Sequence, residues 1–167
     1  MEIGVDQIKA LRDLSGAGIM DCKRALQDAE GDISKAEQLL KERGIASVER
    51  KASRETREGV IEAYIHSGSR VGAMVEVNCE TDFVSRTAEF KELAHNLSMQ
   101  VAAMAPQCVD RSELSEDDTR DPEEVCLLQQ PFIKDPSVVV QDLITDLAAR
   151  VGENIRVQRF TRFALGE

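Results

Sequence analysis

The sequence predicts an α+β protein, with a small helical bundle followed by a larger part built from an antiparallel sheet and packed helices. Three observations support this prediction. The first 44 residues show apolar stripes at helical spacing, interrupted by glycines. Residues 61–77 then change to an alternation of period two around a short connection that contains glycine. Two further amphipathic helical stripes and a last alternating run follow.

The N-terminal bundle is predicted to contain three short helices. The stripe of the first helix consists of Val5, Ile8, Leu11 and Leu14. Residues 15–18, Ser-Gly-Ala-Gly, should break it, because glycine permits a tight turn. The second helix is predicted over about 19–29 and ends at Gly31. Asp32 suits the N-cap of the third helix, which we expect to end at Gly44.

The chain after the bundle changes its period. Residues 45–58 contain many charges and few apolar side chains, so we interpret them as a linker, helical in part. The alternating runs 61–65 and 71–77 flank Ser-Gly-Ser and predict a β-hairpin with one apolar face that must be covered. The covering helix is predicted from the stripe of Phe90, Leu93, Ala94, Leu97, Val101 and Met104.

The remainder of the chain completes the predicted α+β part. Residues 110–124 are rich in Asp and Glu and should form a surface loop. A second amphipathic helix is expected after Pro136 with Ser137 as its cap. A last strand should contain Ile155, Val157 and Phe163. The predicted units are therefore a bundle at 1–44, a linker at 45–58 and an α+β core at 59–167.

The charge balance restricts the classes of partner. Lys and Arg number 21 and Asp and Glu number 31, which gives a net charge of -10 over 167 residues. This argues against nucleic-acid binding, which needs a positive surface, and favours a partner with a basic face. We prefer a solvated or partner-facing strand to an RNA contact for Arg156, Arg159 and Arg162. No apolar run can span a membrane and no signal peptide is apparent, so a cytoplasmic location is expected.

The sequence offers no pattern for an enzyme or a cofactor site. It has no GxxxxGK[ST] phosphate loop, no GxGxxG and no HExxH motif. Four widely spaced cysteines and two histidines do not fit a zinc site. We therefore expect no catalytic residue, no bound metal, no cofactor and no small-molecule ligand.

The turn between the first two helices is unusual in one respect. Ile19 and Met20 follow Gly18 at the start of the second helix, and a core this small cannot accommodate both side chains. The turn has a purely structural explanation as a helix–helix connection. An exposed Ile or Met beside a helix start is alternatively an anchor for a partner.

A second unusual segment is Asn78-Cys79-Glu80-Thr81-Asp82-Phe83-Val84, at a predicted change from strand to helix. Thr81 or Asp82 can cap the helix. Phe83 and Val84 either fasten the helix to the sheet or project into another protein. A corner held by a strand on one side and a helix on the other suits such a wedge, because little entropy is lost on insertion.

Four ordered blocks resemble the elongation factor Ts family, in a short form. They are Gly16-Ala17-Gly18-Ile19-Met20-Asp21-Cys22-Lys23 with Gly31-Asp32, Glu76 to Val84, Gln130-Pro131-Phe132-Ile133-Lys134-Asp135-Pro136-Ser137, and Arg162-Phe163-Ala164-Leu165-Gly166-Glu167. The resemblance spans nearly the whole chain. It implies a ubiquitin-associated-like bundle and a dimerisation-type core.

The resemblance also implies a function. Members bind elongation factor Tu with GDP, displace Mg²⁺ and promote GDP release so that GTP can bind, without making or breaking a bond. The residues that match the Mg²⁺-displacing motif are Thr81, Asp82, Phe83 and Val84. Those that match the N-terminal docking motif are Gly18, Ile19 and Met20.

The chain departs from longer members at two places. The segment from Cys108 to Gln130 is short, so no coiled-coil insertion is expected there. Gln100 occupies a position where longer members often carry a His that contacts elongation factor Tu. Short members can compensate by dimerising through the core sheet, so a homodimer is also among the expectations.

Three alternatives remain at this point. The bundle at 1–44 could be a general binding module that acts without the core. Cys22 could serve as a reactive thiol, with its pKa lowered at a helix N-terminus. A short member could also bind elongation factor Tu without driving exchange.

Overall fold

The computed structural model describes residues 3–167, and Met1 and Glu2 lie outside the described residues. The helices are α1 (Val5–Ser15), α2 (Ile19–Asp28), α3 (Ile33–Lys51), α4 (Asp82–Ser85), α5 (Ala88–Met104), α6 (Pro122–Val125) and α7 (Val140–Val151). The strands are β1 (Glu58–Ile65), β2 (Val71–Cys79), β3 (Pro131–Phe132), β4 (Asp135–Val139) and β5 (Arg156–Ala164). The α+β prediction is confirmed.

The N-terminal bundle has the predicted three helices. Its small core consists of Leu11, Cys22, Ala25, Leu26, Ala29 and Ala36. Gly16 ends α1 in the left-handed region with φ 67°, which explains the glycine there. The Asp32 carboxylate accepts a hydrogen bond of 3.0 Å from the Lys35 amide and caps α3, as predicted.

The predicted end of α3 at Gly44 is wrong, because the helix continues to Lys51. The glycine allows a close helix crossing. A Cβ atom placed on Gly44 would lie 2.9 Å from the Cβ of Ala149 in α7, closer than two such atoms normally approach. Gly44 therefore allows the bundle's last helix to pack directly on the core helix α7, and residues 45–51 of the predicted linker belong to that helix.

The main sheet has the order β1-β2-β5, and both pairings are antiparallel. The predicted hairpin is confirmed by the pairing of Glu58 with Cys79 through to Ile65 with Gly72. Helix α5 covers one face and α7 packs against α5, and the shared core includes Val75, Val77, Phe90, Leu97, Val101 and Ile144. The covering role predicted for α5 is confirmed, and Thr87 caps that helix.

The apolar face predicted for the hairpin is right for β2 and wrong for β1. Val60 and Tyr64, not Ile61 and Ile65, face the core. Val60 lies opposite Val77 and Tyr64 opposite Ala73, so this register places them beneath α5. The outer face of the sheet thus exposes Ile61, Ile65, Met74 and Phe163.

The start of α7 also differs from the prediction. Ser137 lies in β4 rather than at a helix cap, and its amide and hydroxyl both donate to Asp135 Oδ1 at 3.1 and 2.6 Å. The helix begins three residues later, at Val140. Pairing of β4 with β3 explains the shift, since it keeps Asp135–Val139 extended.

Gln100 of α5 is completely buried inside the core. Its Nε2 donates to Gln130 Oε1 and to the Pro131 carbonyl at 3.1 and 3.0 Å, while its Oε1 accepts from the Ile133 amide at 2.9 Å. The side chain thus satisfies polar groups next to β3 and is not presented to a partner.

Candidate functional site

The segment singled out from the sequence forms a sharp corner between β2 and α4. Strand β2 ends at Cys79, and Thr81 occupies the N-cap position of α4 with an extended backbone (φ -129°, ψ 154°). The Thr81 side chain makes no capping hydrogen bond to its own helix. Something other than the usual N-cap must therefore fix this corner.

The carboxylate of Glu153 fixes it. Its Oε2 accepts hydrogen bonds from the backbone amides of Glu80 and Thr81, both at 3.1 Å. Its Oε1 accepts one from the Thr81 hydroxyl at 2.5 Å. Hydrogen bonds to a charged group contribute about 1.5–3 kcal/mol each, against about 1–2 kcal/mol for ordering one backbone residue. Three such bonds are enough to hold the corner in one conformation.

The turn that carries Glu153 also holds the end of α3. The Lys51 Nζ donates to the Gly152 carbonyl at 2.7 Å. The Asn154 side-chain amide donates to the carbonyls of Ala52 and Arg54 at 3.1 and 2.9 Å. Turn 152–154 thus connects the last residues of α3 to the corner.

The Glu80 carboxylate completes this network. Its Oε1 accepts the Asn154 amide at 2.7 Å, and its Oε2 lies 3.4 Å from Arg54 Nη1. The two segments are therefore held together from both sides. The Glu153 carboxylate binds the Glu80 amide in the corner, and the Glu80 carboxylate binds the Asn154 amide in the turn.

The four predicted residues of the corner divide into two pairs. Thr81 is half-buried and held by Glu153, and Val84 is buried in the core. Asp82 lies at the surface in an ion pair of 2.8 Å with Arg86. The Phe83 side chain is 79% exposed. Burying a phenyl ring is ordinarily favourable by about 1.5–3 kcal/mol, so the corner leaves this binding energy unused within the chain.

The thiol beside the corner is structural. Cys79 is buried, and its Sγ donates to the Thr81 carbonyl at 3.1 Å. Burial, with the negative charge of Glu153 as a second cause, raises the pKa of Cys79 to about 11. It is therefore a neutral thiol at physiological pH. Within residues 3–167, no three His, Cys, Asp or Glu side chains group closely enough to hold a metal ion.

The turn before α2 presents the other predicted residues. Gly18 is the N-cap with φ -63° and ψ 148°. Ile19 and Met20 are 55% and 58% exposed, so the exposure predicted for them is confirmed. Cys22 is completely buried in the bundle, within 3.7 Å of the Ala17 carbonyl, and is not presented to solvent.

Sequence reasoning missed Glu153 and its role. By their composition, Gly152-Glu153-Asn154 predict only a turn after the second amphipathic helix. Its hydrogen-bond partner Thr81 lies 72 positions away, and no local pattern reveals a contact of that separation. A carboxylate in a turn between a helix and a strand is the only signal that the sequence offers.

Comparison with known proteins identifies the family of the chain. The sequence profile of the family "Elongation factor TS" matches residues 27–121, which is more than half of the chain. The chain is 46% identical to the elongation factor Ts of Thermotoga neapolitana over 195 aligned positions, with 100% of this chain and 99% of the relative covered.

Relatives from other bacteria show similar identity. The elongation factor Ts of Carboxydothermus hydrogenoformans is 44% identical, with 96% of this chain and 88% of the relative covered. That of Rippkaea orientalis is 45% identical, with 99% and 79% covered. The chain belongs to the elongation factor Ts family.

Proposed function

We propose that this chain is a guanine-nucleotide exchange factor that binds elongation factor Tu with GDP, displaces Mg²⁺ and promotes GDP release so that GTP can bind. The observation that supports this most is the exposed Phe83 at a corner braced by Glu153, in a chain of the elongation factor Ts family. The chain makes and breaks no bond in this role, and it acts in the cytoplasm, where translation takes place.

The physical basis is thermodynamic linkage. A protein that binds the nucleotide-free GTPase more tightly than the GDP-bound one must weaken GDP binding by the same factor. The corner serves as the wedge. Because Thr81 and Val84 are already fixed, inserting Phe83 orders little additional backbone, and most of the phenyl ring's burial energy is available for the displacement.

Loss of Mg²⁺ explains how a small displacement releases GDP. The ion is the largest local positive charge facing the phosphates, so removing it leaves their negative charge poorly compensated. The wedge has only to move the elements of the GTPase that hold the ion. Asp82 lies beside Phe83 with its carboxylate paired to Arg86.

Gly18, Ile19 and Met20 form the second contact in this proposal. The exposed apolar side chains of Ile19 and Met20 at the start of α2 suit a groove or helix of the partner. This contact anchors the factor, whereas the corner does the displacing. Changes at the corner should therefore lower the release rate at saturating factor, whereas changes at the N-terminal contact should raise the factor concentration needed for half-maximal acceleration.

The first prediction concerns the corner. Phe83→Ala should slow GDP release at saturating factor by roughly tenfold or more, because hot-spot truncations at interfaces cost about 2 kcal/mol or more. Its thermal unfolding should be unchanged, since the side chain is exposed. The measurement is stopped-flow release of fluorescent GDP from elongation factor Tu with excess unlabelled nucleotide.

Val5→Ala is the matched control, because Val5 is 80% exposed and lies at the start of α1. It should leave the rate unchanged. Release at the parental rate by the Phe83 variant would exclude the wedge. No acceleration even by the parental chain would exclude the exchange function itself.

The second prediction concerns the N-terminal contact. Met20→Asp should raise the factor concentration needed for half-maximal acceleration by about tenfold while leaving the rate at saturation near the parental value. An aspartate at this position replaces an apolar anchor with a charge that must be desolvated on binding. The concentration dependence of the same stopped-flow assay separates the two quantities. A lower rate at saturation with unchanged half-maximal concentration would contradict an anchoring role.

We also propose that two copies of the chain associate through the outer face of the main sheet. This face exposes Ile61, Ile65, Met74 and Phe163, and no element of the described chain covers it. Its Glu76 carboxylate pairs with Arg159 at 2.8 Å, and the Arg159 hydrogen bond lowers the pKa of Glu76. Arg156 lies on the same face, so two copies with a net charge of -10 each meet little acidic repulsion there.

The third prediction tests this association. Phe163→Glu should convert the dimer to a monomer in sedimentation equilibrium, because it places a charge within the apolar face. Phe83→Glu is the matched control and should remain dimeric, since Phe83 is comparably exposed but lies at the corner. A monomeric parental chain, or dissociation by both variants alike, would contradict the proposed interface.

A further inference from the structure

Two cysteines flank the acidic segment 109–125, one immediately before it and one immediately after it. Cys108 and Cys126 face each other across an isolated parallel bridge. The Cys108 amide donates to the Val125 carbonyl at 3.2 Å, and the Leu127 amide donates to the Cys108 carbonyl at 3.0 Å. The backbone itself therefore holds these two residues side by side.

The two sulfur atoms lie within reach of a covalent bond. The Cys108 and Cys126 Sγ atoms are 3.1 Å apart, and a disulfide requires about 2.05 Å. Neighbouring strands are spaced by about 4.8 Å, which lies within the range of Cα separations that disulfides adopt. Rotation of the two side chains would close the remaining distance between the sulfur atoms.

The other two cysteines have no such partner. Cys22 is buried in the bundle core, and Cys79 is buried beside the corner. All four are free thiols in the structure. The backbone arrangement thus singles out one pair among the four.

We infer that Cys108 and Cys126 form a reversible intramolecular disulfide that closes the base of segment 109–125. The co-reactant is a low-molecular-weight disulfide. The Cys108 thiolate attacks one of its sulfurs, forms a mixed disulfide and expels one thiolate. The Cys126 sulfur, after losing its proton, then attacks the Cys108 sulfur and expels the second thiolate. The two protons end on the two released thiols, and the two electrons reduce the small disulfide.

The order of these steps follows from accessibility. Cys108 is partly exposed, whereas Cys126 is completely buried, so the external disulfide meets Cys108 first. Burial, followed by the neighbouring Cys126, raises the pKa of Cys108 to about 12. The thiolate fraction at neutral pH is therefore small, and the first step is slow in the absence of alkali.

The bond would restrain a segment of unusual charge. Residues 109–125 contain eight acidic and two basic side chains, whose mutual repulsion favours opening of the loop. The segment is also held to the core by hydrogen bonds, among them the Leu128 amide to the Val109 carbonyl at 3.0 Å and the Gln129 side-chain amide to Asp110 Oδ2 at 3.1 Å. A covalent closure would keep both ends together when these contacts open.

The test uses the full-length protein and oxidised glutathione. The reduced parental chain is incubated with it at mildly alkaline pH, excess reagent is removed, and intact mass and peptide mapping follow. The expected product is a monomeric chain lighter by two hydrogen atoms, in which the peptides containing Cys108 and Cys126 are joined. Dithiothreitol should restore the original mass.

Cys126→Ser and the double variant Cys22→Ser/Cys79→Ser are the controls. The first should stop at a glutathione adduct on Cys108, because the resolving thiol is gone. The second should form the disulfide as the parental chain does. Parental chain that stays unmodified, that accumulates the glutathione adduct, or that links to a second chain would overturn the inference.

Discussion

The Glu153 carboxylate is the constraint on which the rest of the site depends. It lies in the turn after α7 and accepts hydrogen bonds from the backbone amides of Glu80 and Thr81 and from the Thr81 hydroxyl. Without it, the residues between β2 and α4 would have neither a ladder partner nor a capping side chain. The exposed Phe83 of α4 would then follow a less ordered corner, and ordering that corner on insertion would reduce the free energy available for the proposed displacement.

The same turn relates the bundle to the core. The Gly152 carbonyl accepts a hydrogen bond from Lys51 at the end of α3, and the Asn154 side chain donates one to the Ala52 carbonyl. Gly44 lets the same helix pack closely on α7. The proposed anchor at Ile19 and Met20 and the proposed wedge at Phe83 therefore belong to a single connected framework. A factor that binds at one place and displaces at another needs such a connection, because a flexible joint would let the anchored bundle stay bound while the corner withdrew.

The sequence predicted the fold class, the three-helix bundle, the hairpin and the corner, since each follows from local periodicity or turn residues. It did not predict features that depend on contacts between elements distant in the chain. A glycine in a helical pattern signals either an end or a close approach, and only α7 reveals that Gly44 is the second. In β1, both faces contain apolar side chains, so only the pairing with β2 shows that Val60 faces inward and Ile61 outward. Glu153 was missed for the same reason.

A double-mutant cycle on GDP release from elongation factor Tu tests most directly whether Glu153 acts by presenting Phe83. Release rates at saturating factor are compared for the parental chain, Glu153→Gln, Phe83→Ala and the double variant, all shown to be folded by circular dichroism. The account predicts that Glu153→Gln slows release in the parental background and has little further effect once Phe83 is alanine. If Glu153→Gln slowed release by the same factor in both backgrounds, the two residues would act independently, and the braced corner would not be the source of the activity.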